Sequence, residues 1–380
     1  MTKTKSRRAA AVSALMLCAN AASGATYVYV SNAEDGNIGT YTMGADGGLT
    51  PGNRVEAGKV VMPMAVSPDR RFLFAAVRSK PFQAVAYAID RKTGALTQVS
   101  SAPTAESYPY ITVDRSGRFL LGASYGGHQV GVNAIGRDGK LSDPKQVIPT
   151  GRNAHSIITD RTNRYVYVPH LGTDQIFQFK FDAKNGKLAS NTPAVVQLKA
   201  MSGPRHIIVS GDNRFVYLLN ELTAAVTTLA LDAKTGLLTE KGTVSALPPD
   251  TRLVPGAPRG AVGVPGGPPP RNTDNDVWAS DLHLTPNGRF LYAAERTSNS
   301  IGALSVDAAT GNLTYQSSTP TEKQPRGFAI DPKGKYMVVS GEKSETVSVY
   351  AIDQSSGALT LLQKYPTGKG SNWVEIVSFD

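Results

Sequence analysis

The sequence predicts an all-β chain arranged as a seven-bladed β-propeller of four-stranded antiparallel blades, and three observations carry that expectation. First, a turn of the form Gly-x-Leu-Thr, or close to it, recurs along the chain. Its leucines are Leu49, Leu96, Leu141, Leu188, Leu238, Leu313 and Leu359, spaced by 47, 45, 47, 50, 75 and 46 residues. Second, an aromatic residue that opens a strand recurs out of phase with it: Tyr27, Phe72, Phe119, Tyr165, Phe215, Phe290 and Tyr336, spaced by 45, 47, 46, 50, 75 and 46. Two independent markers thus give the same count and the same long gap, and a period of about 40–50 residues built from short strands is that of propeller blades. Third, the first marker has no strand before it, whereas Trp373–Val377 reads as a first strand with none after it. Pairing these two ends in one blade closes the ring and leaves no open sheet edge.

Blade 5 shows how each unit is read. In Ser202–Leu222, the apolar runs Ile207–Val209 and Phe215–Leu219 flank the turn residues Gly211-Asp212-Asn213. β-Branched and aromatic runs separated by such residues predict a hairpin of strands A and B. Strand C follows as Val226–Leu231, and strand D starts near Leu238 after the turn at Thr235-Gly236. The 75-residue gap has a local cause. Pro248–Arg271 holds eight prolines and five glycines in 24 residues, a composition that no ladder strand or helix accepts. It is expected to be a loop insertion between blades 5 and 6, either an exposed disordered segment or a lid, in a propeller that spans residues 25–380.

Composition is that of a globular protein, with 41% hydrophobic and 18% charged residues. The formal net charge is +10, of which Lys3, Lys5, Arg7 and Arg8 supply four; without them it is +6. That surplus favours anionic ligands, but the basic residues form no run, so nucleic acid is not expected as a partner. Lys3–Arg8, the apolar Ala9–Ala19 and the small residues Ala22 and Gly24 have the pattern of a secretory leader spanning residues 1–24. The apolar run is too short for a membrane anchor, which needs about 18 residues or more. The sole cysteine, Cys18, falls inside it. The expectation is a periplasmic or secreted chain with no disulfide, no thiolate metal site and no membrane contact after cleavage, monomeric or weakly oligomeric.

The repeat also locates a rim. Ten residues before each aromatic marker, where strand A opens, stand Met62, Pro109, His155, Arg205, Ser280 and Arg326; six residues after it, where strand B ends, stand Ala33, Arg78, Tyr125, Leu171, Glu221, Arg296 and Glu342. A hairpin returns the chain to its starting edge, so both sets belong to one rim. The polar residues there break an otherwise apolar pattern, and such breaks mark function in a repeat fold. His155, Arg205, Glu221 and Arg296 come from consecutive blades and form the candidate catalytic set, with His206, Asn220, His283 and Arg326 as candidate substrate contacts. Lone charges on a rim are more often blade-bridging ion pairs, the reading favoured for Arg78, Arg326 and Glu342. His128 and His170 are read as structural or solvent-exposed. No His-x-x-x-His, Gly-x-Ser-x-Gly or P-loop pattern is present, and no metal or cofactor is expected.

At these residues the chain resembles the lactonase family of seven-bladed propellers, which includes the propeller type of 6-phosphogluconolactonase and 3-carboxy-cis,cis-muconate cyclase. The resemblance rests on Ala154-His155-Ser156, Tyr167–Gly172, Gly203-Pro204-Arg205-His206, Asn220-Glu221, Asp281-Leu282-His283, Arg296–Ile301 and Gln324–Phe328. It implies lactone chemistry with a His, two Arg and a Glu, which fall on His155, Arg205, Arg296 and Glu221. His170 stands where the family often has an acid, Glu295 where a small polar residue is common, and the proline-rich insertion is unusual. These departures bear on the substrate rather than the fold.

Hydrolysis of a lactone needs an activated water and a positive group at the developing oxyanion. Glu221 or His155 suits the base, Arg205 the carbonyl, and Arg296 a carboxylate, phosphate or hydroxyl. The same set suits a lactone-forming cyclase, and a non-catalytic binding propeller is the alternative of another class. Because sugar phosphates are chiefly cytosolic, an exported enzyme is expected to act on an unphosphorylated aldonolactone or another small sugar or carboxylated lactone.

Overall fold

The computed structural model describes residues 24–258 and 272–379. Their strands form seven four-stranded antiparallel sheets around a central channel, labelled here as blades 1–7, each with strands A to D from the channel outward. Blade 5 comprises strand A at Pro204–Val209, B at Phe215–Asn220, C at Ala225–Leu231 and D at Leu238–Ser245. Strand A thus begins three residues before the apolar run that announced it. Strand B is buried along its whole length while strand D is mostly exposed. Inner strands are covered by adjoining blades on both faces and so read as continuous apolar runs.

Closure is as the sequence implied. Ser371–Ser378 is strand A of blade 1 and pairs antiparallel with Thr26–Asn32, with Val377 opposite Tyr27 and Val374 opposite Val30. Residues 1–23, most of the expected leader, lie outside the described residues.

The two sequence markers turn out to be partners. The glycine of each Gly-x-Leu turn joins strands C and D of one blade and lies against the marker aromatic of the blade before it. Gly236 packs on Tyr165, Gly94 on Tyr27, and Gly47 completes the circle on Tyr336. At Gly236 the backbone has φ +72, and a Cβ would lie 2.1 Å from the Tyr165 ring. The position therefore requires glycine for conformation and for space. Further inward, the Tyr167 hydroxyl donates to the Gly236 carbonyl at 2.9 Å. Between blades 4 and 5 the remaining space is filled by Tyr167, Ile207, Val209, Val216, Leu218 and Leu229. Each such buried aliphatic chain contributes about 1.5–3 kcal/mol.

The insertion is in part bonded to the rim. Val254 pairs with the backbone of Asn275 and Val277, and the Gly256 N–H donates to the Leu222 carbonyl at 2.8 Å. Leu247 is buried and Leu253 packs against the blade 5–6 core. Most of residues 248–258 are exposed, yet these backbone bonds tie the segment to the rim; residues 259–271 lie outside the described residues.

Candidate active site

The rim residues are presented by a backbone device that recurs from blade to blade. Where strand A of blade 5 opens, Pro204 faces Asn220 but His206 faces Leu219, so Arg205 is the extra residue of a β-bulge. The same irregularity falls at Met62-Pro63 in blade 2, Ser280-Asp281 in blade 6 and Arg326 in blade 7. A bulge re-aims side chains, and here it lets the consecutive Arg205 and His206 both turn inward, where both are buried. In blade 4, regular strand A is only Ile158–Thr159. His155 precedes it on irregular backbone, held by its N–H to the Pro169 carbonyl at 3.0 Å.

The four candidate catalytic residues meet on one carboxylate oxygen. Glu221 Oε2 accepts Arg205 Nε at 2.7 Å and lies 3.1 Å from Arg296 Nη2 and 3.9 Å from His155 Nε2. The Arg205 and Arg296 side chains are 1% exposed and that of Glu221 8%. Arg296 also donates from Nε and Nη2 to the carbonyls of Trp278 and Ala279, each at 3.0 Å, and its guanidinium lies 3.7 Å from the Trp278 ring centroid. Arg205 Nη1 reaches His206 Nε2 at 2.9 Å and the Ser280 carbonyl. Two guanidiniums against one carboxylate leave the cluster with a net positive charge, the sign that suits an anion or an oxyanion.

Burial opposes charge throughout the cluster. It lowers the Arg205 guanidinium to about 10, opposed by Glu221. Arg205 still holds its proton at neutral pH, as arginine does in proteins. His155 is held well below the usual histidine range by burial and then by Arg205 and His206. Its ring is therefore neutral, and its buried Nδ1 has no hydrogen-bond partner among the described residues. Beside Arg296 opens a cleft of about 480 Å³ lined by Trp278, Lys323 and Lys343.

The substrate-contact candidates are distributed differently. His206 joins the cluster through Arg205, and on its other side Nδ1 lies 2.8 Å from Asp281 Oδ1. His283 faces the channel and bonds Asp281 Oδ2 at 3.1 Å. Although burial opposes it, the Asp281 carboxylate raises His283 above its usual range. Arg326 pairs with Glu342 at 3.3 Å within blade 7. Asn220 is not brought to the cluster. Its Nδ2 donates to the Ala225 carbonyl and to Thr227 Oγ1, pinning the turn between strands B and C. Neighbouring residues of a strand point to opposite faces, and adjacency to Glu221 misled here.

Sequence reasoning missed Asp281 as a partner, Trp278 as the surface beneath Arg296, and the channel wall of Tyr110 and Trp373 packed on His206. Asp281 was legible in principle, being the only acidic residue of strand A in blade 6, Ala279–Leu284. His170, as expected, is structural: buried, with Nδ1–H donating to the Val168 carbonyl at 2.8 Å and its ring against Phe177. His128 is on the exposed turn, where Nδ1 accepts the Asn153 N–H. Glu295 accepts the backbone N–H groups of Trp278 and Ser298 and thereby fixes the loop under Arg296. Among the described residues no group of His, Cys, Asp and Glu could hold a metal ion.

Seven closed blades with a buried Arg–Glu–Arg cluster and a neutral histidine define a rim-site propeller enzyme. The family described as lactonase, seven-bladed β-propeller, matches residues 25–376, and the chain belongs to it. A 6-phosphogluconolactonase of Pectobacterium carotovorum is 36% identical over 307 residues, which is 80% of this chain and 84% of the relative. One of Serratia proteamaculans is 36% identical over 304 residues, again 80% and 84%. Among solved structures, a periplasmic gluconolactonase of Pseudomonas aeruginosa superposes with TM-score 0.79 and 27% identity, covering 93% of this chain and 99% of that one. A 6-phosphogluconolactonase from Bacteroides fragilis, itself so assigned provisionally, gives 0.81 and 25%, covering 94% and 99%. The protein is a lactone hydrolase of this propeller class.

Proposed function

We propose that the protein opens an unphosphorylated aldonolactone, a small polyhydroxylated sugar lactone, in the periplasm, with His155 as general base. The observation that carries this reading is the neutral imidazole placed beside two buried guanidiniums that share one carboxylate. Glu221 Oε2 is already bonded to both arginines, which makes Glu221 their anchor and leaves the proton transfer to His155. Water attacks the lactone carbonyl carbon and gives its proton to His155 Nε2. The carbonyl oxygen becomes an alkoxide held by Arg205 and Arg296, donors that are already in place and need no reorganisation. As the tetrahedral intermediate collapses, the ring C–O bond breaks, the imidazolium returns its proton to the departing ring oxygen, and a hydroxy acid is released. Glu221 stabilises the transient imidazolium across the 3.9 Å gap.

Lys323 and Lys343 at the cleft beside Arg296 favour an oxygen-rich or anionic substrate. The leader pattern and the periplasmic gluconolactonase among the structural relatives support an exported enzyme and hence an unphosphorylated ring. Turnover of gluconolactone, 6-phosphogluconolactone and aromatic lactones by mature protein, followed by pH-stat and corrected for spontaneous hydrolysis, tests the assignment. His155→Gln should lose about 10²–10⁴-fold in kcat. No turnover of any lactone, or a His155→Gln variant as fast as the parent, overturns it.

A further inference from the structure

We propose that Asp281 is a positioning residue for the reaction, acting on Arg205 through the tautomer of His206. The claim rests on the lactonase reading for its kinetic consequence, but its structural core does not need turnover. Three side chains from two blades lie in line: Arg205 Nη1 is 2.9 Å from His206 Nε2, and His206 Nδ1 is 2.8 Å from Asp281 Oδ1.

Donor and acceptor chemistry leaves one solution. A guanidinium only donates, so the nitrogen facing Arg205 must bring a lone pair. His206 Nε2 is therefore unprotonated and Nδ1 carries the hydrogen. Asp281 must then accept at Oδ1, and its other contacts require the same of it. The Leu282 N–H donates to Oδ1 at 3.0 Å, and the Phe328 N–H to Oδ2 at 3.3 Å. Backbone N–H groups cannot reverse their roles, so Asp281 is fixed as an ionised, all-accepting carboxylate. Burial and then Arg205 push His206 down to about 3, so the ring stays neutral at working pH despite Asp281.

The consequence reaches the reacting end of Arg205. Nε is held by Glu221, and Nη1 by His206 and the Ser280 carbonyl. Among the described residues Nη2 has no partner, which leaves it for the lactone carbonyl. In the other tautomer an N–H would meet the N–H of Nη1, and the guanidinium would have to turn away. Asp281 prevents this without touching the substrate, as outer partners of ligating histidines do at metal sites, where their loss costs about 10–100-fold. His206 is boxed in by Tyr110 at 5.0 Å and Trp373 at 6.0 Å between ring centroids, so it cannot escape by rotating.

The direct test is the nitrogen-15 spectrum of histidine-labelled protein. His206 should show a pyrrole-type Nδ1 and a pyridine-type Nε2, unchanged between pH 5 and 8. An Nε2–H tautomer or an imidazolium there overturns the proposal, whether or not a substrate is known. The kinetic test compares Asp281→Leu, which is isosteric without acceptors, with Asp281→Asn. The amide oxygen of Asn can still accept from His206 Nδ1 and the Leu282 N–H, and only the longer 3.3 Å bond from the Phe328 N–H is lost to its NH₂. Asp281→Leu should lower kcat about 10- to 100-fold with KM within about 3-fold, and Asp281→Asn, which keeps the acceptor facing His206, should lose less. In a His206→Phe background, Asp281→Leu should cost nothing further, because coupled residues are non-additive. Equal losses in both backgrounds, or no loss in either, overturn the claim. A wild-type protein that turns over no lactone would sink the functional reading while the tautomer measurement still decides the role of Asp281.

Discussion

Blades 5 and 7 carry the same pair of residues on the same backbone device, and only the first is fully enclosed. Arg205 with Glu221 and Arg326 with Glu342 each join a bulged strand A to the end of strand B, in Pro204-Arg205-His206 and Pro325-Arg326-Gly327. In blade 5 the ion pair is 2.7 Å long and its side chains are 1% and 8% exposed; in blade 7 it is 3.3 Å and they are 15% and 22% exposed. The neighbours make the difference. Blade 4 brings His155 and blade 6 brings Arg296 to the first pair. Beside the second, strand A of blade 1 runs so close that a Cβ on Gly327 would lie 2.5 Å from the Asn372 carbonyl oxygen. No imidazole fits where His206 stands in blade 5. The repeat supplies an Arg–Glu pair, and the flanking blades decide what surrounds it.

Parallel substitutions put that comparison at risk. Arg205→Lys should lower kcat by about 10²–10³, because a lysine cannot bond Glu221, His206 and an oxyanion at once. Arg326→Lys should change kcat less than about tenfold. Comparable losses in lactone turnover would mean that the two pairs share one task. Stability separates them next. Glu221→Gln leaves two buried guanidiniums unneutralised and should cost about 3–5 kcal/mol, whereas Glu342→Gln, in a more open pair, should cost about 1 kcal/mol or less. Urea unfolding of the two variants measures the gap, and equal midpoints would refute it.

A further contrast concerns protons. His155, His170 and His206 are held below the usual histidine range, the last two to about 3, chiefly by burial. A histidine in the unfolded chain takes up a proton near pH 6.5 while these do not. Stability should therefore fall as pH drops below about 6.5, by up to about 1.4 kcal/mol per pH unit for each. His283 has the opposite sign: its raised value favours the fold below pH 6.5 and loses that contribution as pH rises through it. His170→Phe lies outside the cluster and should flatten the acid slope by one histidine between pH 6 and 4, while Arg326→Lys should leave it unchanged. Unfolding midpoints across that range decide.

The ring, its blade count and the closing strand were legible because a repeat prints its period seven times. Each marker also had a physical cause that the structure makes explicit: a glycine in one blade seats the aromatic ring of the last. The catalytic candidates were legible for a related reason, as polar exceptions at positions where other blades place Met62 or Ala33. What the sequence could not carry was direction. Asn220 and Glu221 are adjacent yet face different surroundings. Arg205 and His206 are adjacent yet converge, because a bulge cancels the alternation of the strand. Asp281 acquires its role only from contacts 75 positions away in the chain, a separation that no local pattern encodes.

The closing strand has a further consequence, in what ties the seam of the ring to the site. Ser371–Ser378 closes the ring, and its Trp373 packs beside His206 and Tyr110 as part of the channel wall. Glu375, bonded to the Trp373 indole N–H at 2.9 Å, is pushed up to about 7 by burial there. The strand that shuts the ring is thus also a wall beside His206, so a change that loosens the seam between strands A and B of blade 1 reaches the packing around His206 as well.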